Sequence, residues 1–131
     1  MAPRQACCSC GQLTLNVEGD PVRVSVCHCL ACQRRTGSAF GVQARYPRGQ
    51  VEIAGPSSSY TRISDSGQII TYHFCPSCGT TLHWELGDFP DMIAVAVGAF
   101  ADPTFLTPQV SVYGSRRHPW VDISGRVRRE N

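Results

Sequence analysis

Eight cysteines stand among the 131 residues, in three groups: Cys7-Cys8-Ser9-Cys10, Cys27-His28-Cys29-Leu30-Ala31-Cys32 and Cys75-Pro76-Ser77-Cys78-Gly79. Thiols spaced this way serve either as disulfide partners or as metal ligands. Disulfides need an oxidising compartment. The segment Met1-Ala2-Pro3-Arg4-Gln5-Ala6-Cys7 has no apolar run of signal-peptide length. The longest apolar run, Met92 to Phe100, has nine residues, whereas a membrane-spanning helix needs about 20. The expectation is therefore a soluble cytoplasmic protein with reduced thiols that bind metal; a secreted disulfide domain is the alternative. Zinc suits these groups, because it takes about four ligands in a tetrahedron with Zn–S near 2.3 Å. A Cys-x-x-Cys turn offers two sulfurs from one tight loop, and Gly79 suits the positive φ that closes such a turn.

The number of thiols divides the work. Adjacent residues of an extended segment point to opposite faces, so Cys7 and Cys8 do not share one ion in strand geometry, while Cys8 and Cys10 share a face. Cys8 and Cys10 with Cys75 and Cys78 make a closed set of four, the pattern of a structural zinc. Cys27, Cys29 and Cys32 remain, three thiolates within six residues. A zinc with three protein ligands keeps an open position, which is the arrangement of a catalytic site. Cys7 is left over.

Four histidines compete for that open position. His28, between two ligands, points away from the metal as a neighbouring imidazole. His73 and His83 lie in strand-like runs where ordinary hydrogen bonds satisfy them, and His118 between Arg117 and Pro119 belongs to the surface. Arg34 and Arg35, directly after Cys32, are placed to offset the excess negative charge of three thiolates and to hold an anionic substrate by paired N–H donors; a solvated face after a turn is the plainer reading of either.

Short strands must position these groups. Gly and Pro supply 21 residues that punctuate the chain, and between them lie runs that alternate or are rich in β-branched residues: Leu13–Val17, Val22–Val26, Phe40–Tyr46, Val51–Ala54, Ser59–Ser64, Ile69–Phe74, Thr81–Leu86, Met92–Gly98 and Val110–Tyr113. Leu30–Thr36 alone reads as helical. The pattern predicts an all-β fold over residues 1–131 as one domain. Gly55-Pro56-Ser57-Ser58-Ser59 reads as a loop between strands, and the tail from Gly125, with Arg126, Arg128 and Arg129, as frayed. Trp84, Trp120, Phe100 and Phe105 are expected in the core. The strand Val22–Val26 delivers Cys27 to a loop at the rim. All twelve basic residues are arginine, yet the formal net charge is only +2, which argues against nucleic acid as a partner.

Three segments together resemble the glutathione-dependent formaldehyde-activating enzyme family: Cys8-Ser9-Cys10-Gly11, Cys27-His28-Cys29-Leu30-Ala31-Cys32-Gln33-Arg34-Arg35-Thr36-Gly37-Ser38, and Phe74-Cys75-Pro76-Ser77-Cys78-Gly79-Thr80-Thr81-Leu82. The resemblance implies a zinc β-tent of several short coiled antiparallel sheets. It implies a structural zinc on Cys8, Cys10, Cys75 and Cys78, and a second, active-site zinc on Cys27, Cys29 and Cys32. It further implies a carbon–sulfur lyase or synthase joining glutathione to formaldehyde, with Arg34 and Arg35 as candidate glutathione contacts. The chain departs from the family at Cys7, where relatives often have glycine, at Ser111, where they often have histidine, and after Trp120, where an arginine-rich tail follows.

Two further functional classes compete. A non-catalytic, zinc-stabilised β-tent binding module has no need of a three-cysteine cluster, and one zinc per chain instead of two is its signature. Methionine sulfoxide reductase chemistry on a similar fold needs a free nucleophilic thiol, and only Cys7 is free.

Overall fold

Alternation of small and β-branched residues builds two sheets around one core. The computed structural model describes residues 3–131. Strands β1 (Arg4–Cys7), β2 (Thr14–Val17) and β5 (Val51–Ala54) form a three-stranded antiparallel sheet in the order β1-β2-β5. The larger sheet contains β3 (Arg23–Cys27), β4 (Gly41–Pro47), β6 (Ser58–Ile63), β7 (Ile69–Phe74), β8 (Thr81–Leu86), β9 (Phe89–Ala96), β10 (Val110–Val112) and β11 (Arg128–Arg129). Its order is β11-β10-β3-β4-β9-β8-β7-β6. The single α-helix among the described residues, α1 (Leu30–Thr36), lies between β3 and β4.

Period-2 alternation gives the large sheet two different faces. Val24 on β3, Ala44 and Tyr46 on β4, and Ile93 and Val95 on β9 turn toward the small sheet, where Ala6, Leu15 and Val17 complete a fully buried core. Each such aliphatic side chain contributes about 1.5–3 kcal/mol on burial. The intervening residues face the other way: Arg23, Ser25 and Cys27 on β3 stand opposite Arg45, Gln43 and Gly41 on β4. Trp84 pairs with Ala94 on one side and Tyr72 on the other, and these three share a second apolar cluster. One face packs against the small sheet, and the other carries Arg23, Arg45, Gln43 and Cys27.

The all-β expectation holds, and β5, β7, β8 and α1 have the expected bounds. The Met92–Gly98 run begins earlier, at Phe89, and ends in a 3-10 turn over Val97–Phe100. Strand β1 escapes the sequence pattern because it is four residues long and holds its edge place only by pairing with β2. Not every pairing is antiparallel: β10 runs parallel to both β3 and β11.

Two expectations are corrected. The tail is not frayed over its length, since Arg128 N–H donates to Gln109 O at 2.9 Å and Glu130 N–H to Ser111 O at 2.7 Å. An unpaired sheet edge accepts any backbone that reaches it, so side-chain polarity gave no sign of this strand. Trp120 is 74 % exposed rather than core, with its ring edge-on to His118 at 5.7 Å. The other aromatics behave as expected: Trp84 and Phe100 are buried, and Phe100 stacks on Phe105 at 4.7 Å.

Candidate metal centres

Two tight turns, each closed by a glycine N–H, bring four sulfurs together. In the first, Gly11 takes a φ of +83° and its N–H donates to Cys8 O at 3.1 Å. In the second, Gly79 takes a φ of +81° and donates to Cys75 O at 2.8 Å. Both conformations favour glycine, which has no Cβ to clash. Backbone N–H groups then point at sulfur, Leu13 to Cys8 at 3.2 Å and Ser77 to Cys75 at 3.4 Å. The turns lock together where Ser9 Oγ and N–H meet Thr80 Oγ1 at 3.0 and 3.1 Å. Sγ of Cys10 lies 3.6 Å from Sγ of both Cys8 and Cys75. A tetrahedron with Zn–S of 2.3 Å has edges of about 3.8 Å, so the four sulfurs Cys8, Cys10, Cys75 and Cys78, all within 4.8 Å of one another, fit one zinc. Cys78 is further lowered to about 5 by the hydroxyl and the backbone N–H of Thr80, which favours the thiolate a metal needs.

The second cluster is local. Cys27 ends β3, and Cys29 caps α1, its sulfur accepting the Cys32 N–H at 3.3 Å. The helix ends at Gly37, whose φ of +66° lets its N–H return to Gln33 O. Sulfurs of Cys27, Cys29 and Cys32 lie within 4.8 Å of one another, and the three residues are 6–8 % exposed. As expected, the cluster stands where β3 passes into α1 and a ligand can arrive, since its residues, though buried, line a cavity. Hydrogen bonds from Cys27 and Cys32 lower Cys29 to about 2, and the same contact with Cys29 pushes Cys27 up. The contacts among the three sulfurs thus favour a thiolate at Cys29, and three sulfurs form a donor set suited to a soft cation such as zinc. Together with the four-sulfur set, these residues can hold two metal ions.

The cavity, of about 380 Å³, opens beside the three sulfurs. Its floor carries Gln43, Tyr72 and Trp84, and its walls bring three guanidinium groups, of Arg23, Arg45 and Arg62. Arg62 Nε donates to Tyr72 Oη at 3.0 Å, and the positive charge of Arg62 helps lower Cys29. Arg45 and Arg62 stand far from the cysteines in sequence, and Arg23, four residues before Cys27 on β3, matches no ligand spacing, so the cysteine pattern gave no signal for them. Gln33 was also missed. Its Nε2 donates to His28 O at 2.9 Å and to Arg116 O at 3.1 Å, and its Oε1 meets His118 Nε2 at 2.8 Å. This side chain ties the cysteine loop to the C-terminal segment.

The residues singled out from sequence are placed as follows. Arg34 is exposed and lies outside the cavity lining. Arg35 folds under the floor instead, its guanidinium 4.3 Å from the Trp84 ring centroid. It passes through space that Gly41 leaves open, since a Cβ there would stand 2.5 Å from Arg35 Nη2. His28 points away from the sulfurs as expected, fully buried, with Nε2 3.0 Å from Ser111 Oγ. His73 bonds Glu85 Oε1 at 2.7 Å. His83, expected to be satisfied by hydrogen bonds, is buried with both ring nitrogens unpartnered and stacks on His73 at 4.7 Å. His118 is half-buried rather than on the surface. Cys7 lies outside both clusters, exposed and paired across the strand with Thr14.

Residues 3–116 match the sequence model of the glutathione-dependent formaldehyde-activating enzyme family. The chain belongs to this family. A crystal structure of a Rhodobacter sphaeroides protein is similar in fold, with a TM-score of 0.58 at 19% identity, over 79% of this chain and 91% of that one. Both cysteine clusters and the cavity walls from Arg23 to Tyr113 lie inside the matched family segment. Glu130 and Asn131, which also line the cavity, lie beyond it.

Proposed function

We propose that the protein is a zinc-dependent carbon–sulfur lyase or synthase that interconverts glutathione plus formaldehyde with S-(hydroxymethyl)glutathione. The observation that carries this reading is the buried Cys27, Cys29 and Cys32 cluster opening into a cavity walled by arginines, in a chain of this family. Zinc held by three thiolates supplies an open position that lowers the pKa of an incoming thiol and polarises a carbonyl.

The chain's own residues do the rest. In the forward direction a bond forms between the glutathione sulfur and the carbonyl carbon. The carbonyl π pair moves to oxygen, and the proton lost by the thiol ends there. Tyr72 stands on the cavity floor, and its oxygen accepts the Arg62 N–H. Its own proton is therefore free to pass to the oxygen that gains charge, and the proton lost by the thiol restores the Tyr72 hydroxyl, so that the net transfer is from sulfur to oxygen. Burial raises the Tyr72 pKa, so the hydroxyl keeps that proton at neutral pH. Burial of the three sulfurs limits access of bulk water, which favours capture of the aldehyde by sulfur. Reversal of the same steps breaks the carbon–sulfur bond.

Exchange NMR between glutathione and ¹³C-formaldehyde tests the reading. Zinc-loaded protein is expected to raise the exchange rate above the buffer value, and zinc-depleted protein is expected to lose that effect. Equal rates in buffer and with zinc-loaded protein would leave the fold as a binding module.

A further inference from the structure

Arg23 and Arg45 face each other directly across the β3–β4 pair, on the cavity side of the sheet. Like charges in that relation destabilise a sheet. Neither arginine has an ion pair with a carboxylate among the described residues. Nε of each is buried without a hydrogen-bond partner, and an unpartnered buried donor costs free energy unless something outside the chain completes it. The acids that line the same cavity are engaged elsewhere: Asp65 pairs with Arg116 at 2.8 Å and Glu130 with Arg128 at 3.0 Å. Arg45 stacks 4.4 Å from the Phe89 ring centroid, which orients its guanidinium and leaves the charge uncancelled.

We propose that Arg23 and Arg45 form a carboxylate-binding subsite at the end of the cavity away from the cysteines, and that these two residues determine specificity for the anionic end of the thiol substrate. The sheet register gives the order of the contacts. Cys27 and Gly41 form one row, Ser25 and Gln43 the next, and Arg23 and Arg45 the third. In the middle row the Gln43 Oε1 accepts the Trp84 indole N–H at 3.2 Å, leaving its NH₂ to donate to a peptide carbonyl. Thiol, amide and carboxylate thus meet cysteines, carboxamide and guanidiniums in turn. The four-residue step from Cys27 to Arg23 covers about 13 Å of strand. An extended tripeptide reaches about 10 Å, and the arginine side chains span the remainder. Two guanidinium forks side by side suit the flat, two-oxygen geometry of a carboxylate.

This subsite rests on the reading that a thiol enters at the three-cysteine cluster, and the test separates the two. The ligands are S-methylglutathione, which has no free thiol, and its diethyl ester, in which both carboxyls are neutral. Calorimetry with the zinc-loaded protein is expected to show the ester binding at least tenfold more weakly than the acid. Arg23→Gln/Arg45→Gln is expected to bind acid and ester alike, with its melting temperature maintained. Wild-type protein that binds acid and ester equally, or binds neither, overturns the subsite, and that comparison needs no variant. A double variant that keeps the preference for the acid overturns it too. Acid preferred over ester, with free glutathione no tighter than the S-methyl form, supports the subsite and removes only the entry of sulfur at the cysteines.

Discussion

The two cysteine clusters invert the ordinary link between exposure and reactivity. In the four-cysteine cluster Cys10 and Cys78 are exposed, yet four sulfurs close around one position and leave nothing open for a ligand. In the three-cysteine cluster every sulfur is buried, yet the set is one ligand short and faces a cavity. On the proposed function, the number of sulfurs offered to a metal, not their solvent exposure, separates the two centres. The sources of the ligands differ in the same sense. Cys10 and Cys75 meet across 65 positions of sequence, so a metal there closes a long loop. Cys27, Cys29 and Cys32 come from one strand end and the first turn of α1.

The largest expected effect breaks the closed cluster. Structural zinc contributes apparent binding energies of about 10–16 kcal/mol, against a whole-domain stability of about 5–15. Cys78→Ser is expected to give an unfolded or insoluble product, read by circular dichroism and solubility. A cooperatively melting Cys78→Ser protein would remove the structural role from that cluster.

Cys29→Ser tests the other side. Its ligands sit on local backbone, so the variant is expected to stay folded, with zinc per chain falling from two to one and formaldehyde exchange falling to the buffer rate. Loss of the fold here would erase the distinction between the two centres.

A smaller effect is expected at the support of the open cluster. Ser111 Oγ is the partner of buried His28 Nε2, while the Nδ1 of that ring has none. Ser111→Ala leaves the imidazole without a partner, a loss of about 1–3 kcal/mol. Melting temperature reads that loss. A competition titration with a zinc chelator is expected to show weaker metal binding at the three cysteines only; equal weakening at both clusters would show that the centres are coupled.

The smallest effect concerns pH on the closed-cluster side, where β7 and β8 flank the Cys75–Cys78 turn. Burial first, then the charge of His73, lowers His83 from 6.5 to about 4. Between those values the unfolded chain binds more protons than the folded one, so stability falls as pH drops from about 6.5 toward 4. The slope is at most about 1.4 kcal/mol per pH unit. His83→Leu removes a buried ring with two unpartnered nitrogens and is expected to lose less stability than wild type between pH 7 and 5.5 in paired denaturant titrations. Thiol protonation acts on both proteins and cancels in the comparison. Equal losses would show that His83 takes up its proton alike in the folded and unfolded states.

Much of this was legible in the chain itself. Cysteine spacing, with Gly79 after the last one, suffices to separate four ligands from three, because ligand turns are local and their backbone geometry is written in a few residues. The helix Leu30–Thr36 and strands such as Thr81–Leu86 were readable for the same reason, since periodicity and end signals lie within the segment. Cys7 as the surplus thiol followed from strand alternation alone. The cavity was another matter. Arg23, Arg45 and Arg62 come from three strands, and only the register of β3 on β4 and the curl of β6 and β7 bring them to one wall. Arg34 and Arg35 are neighbours in sequence, yet the helix sends one to solvent and the other beneath Trp84. The C-terminal strand formed because β10 offered an open edge, a property of the sheet with no trace in the tail. Each cysteine turn is set by local geometry, so its spacing reveals it; the cavity wall is built from long-range strand pairing, which only the folded chain decides.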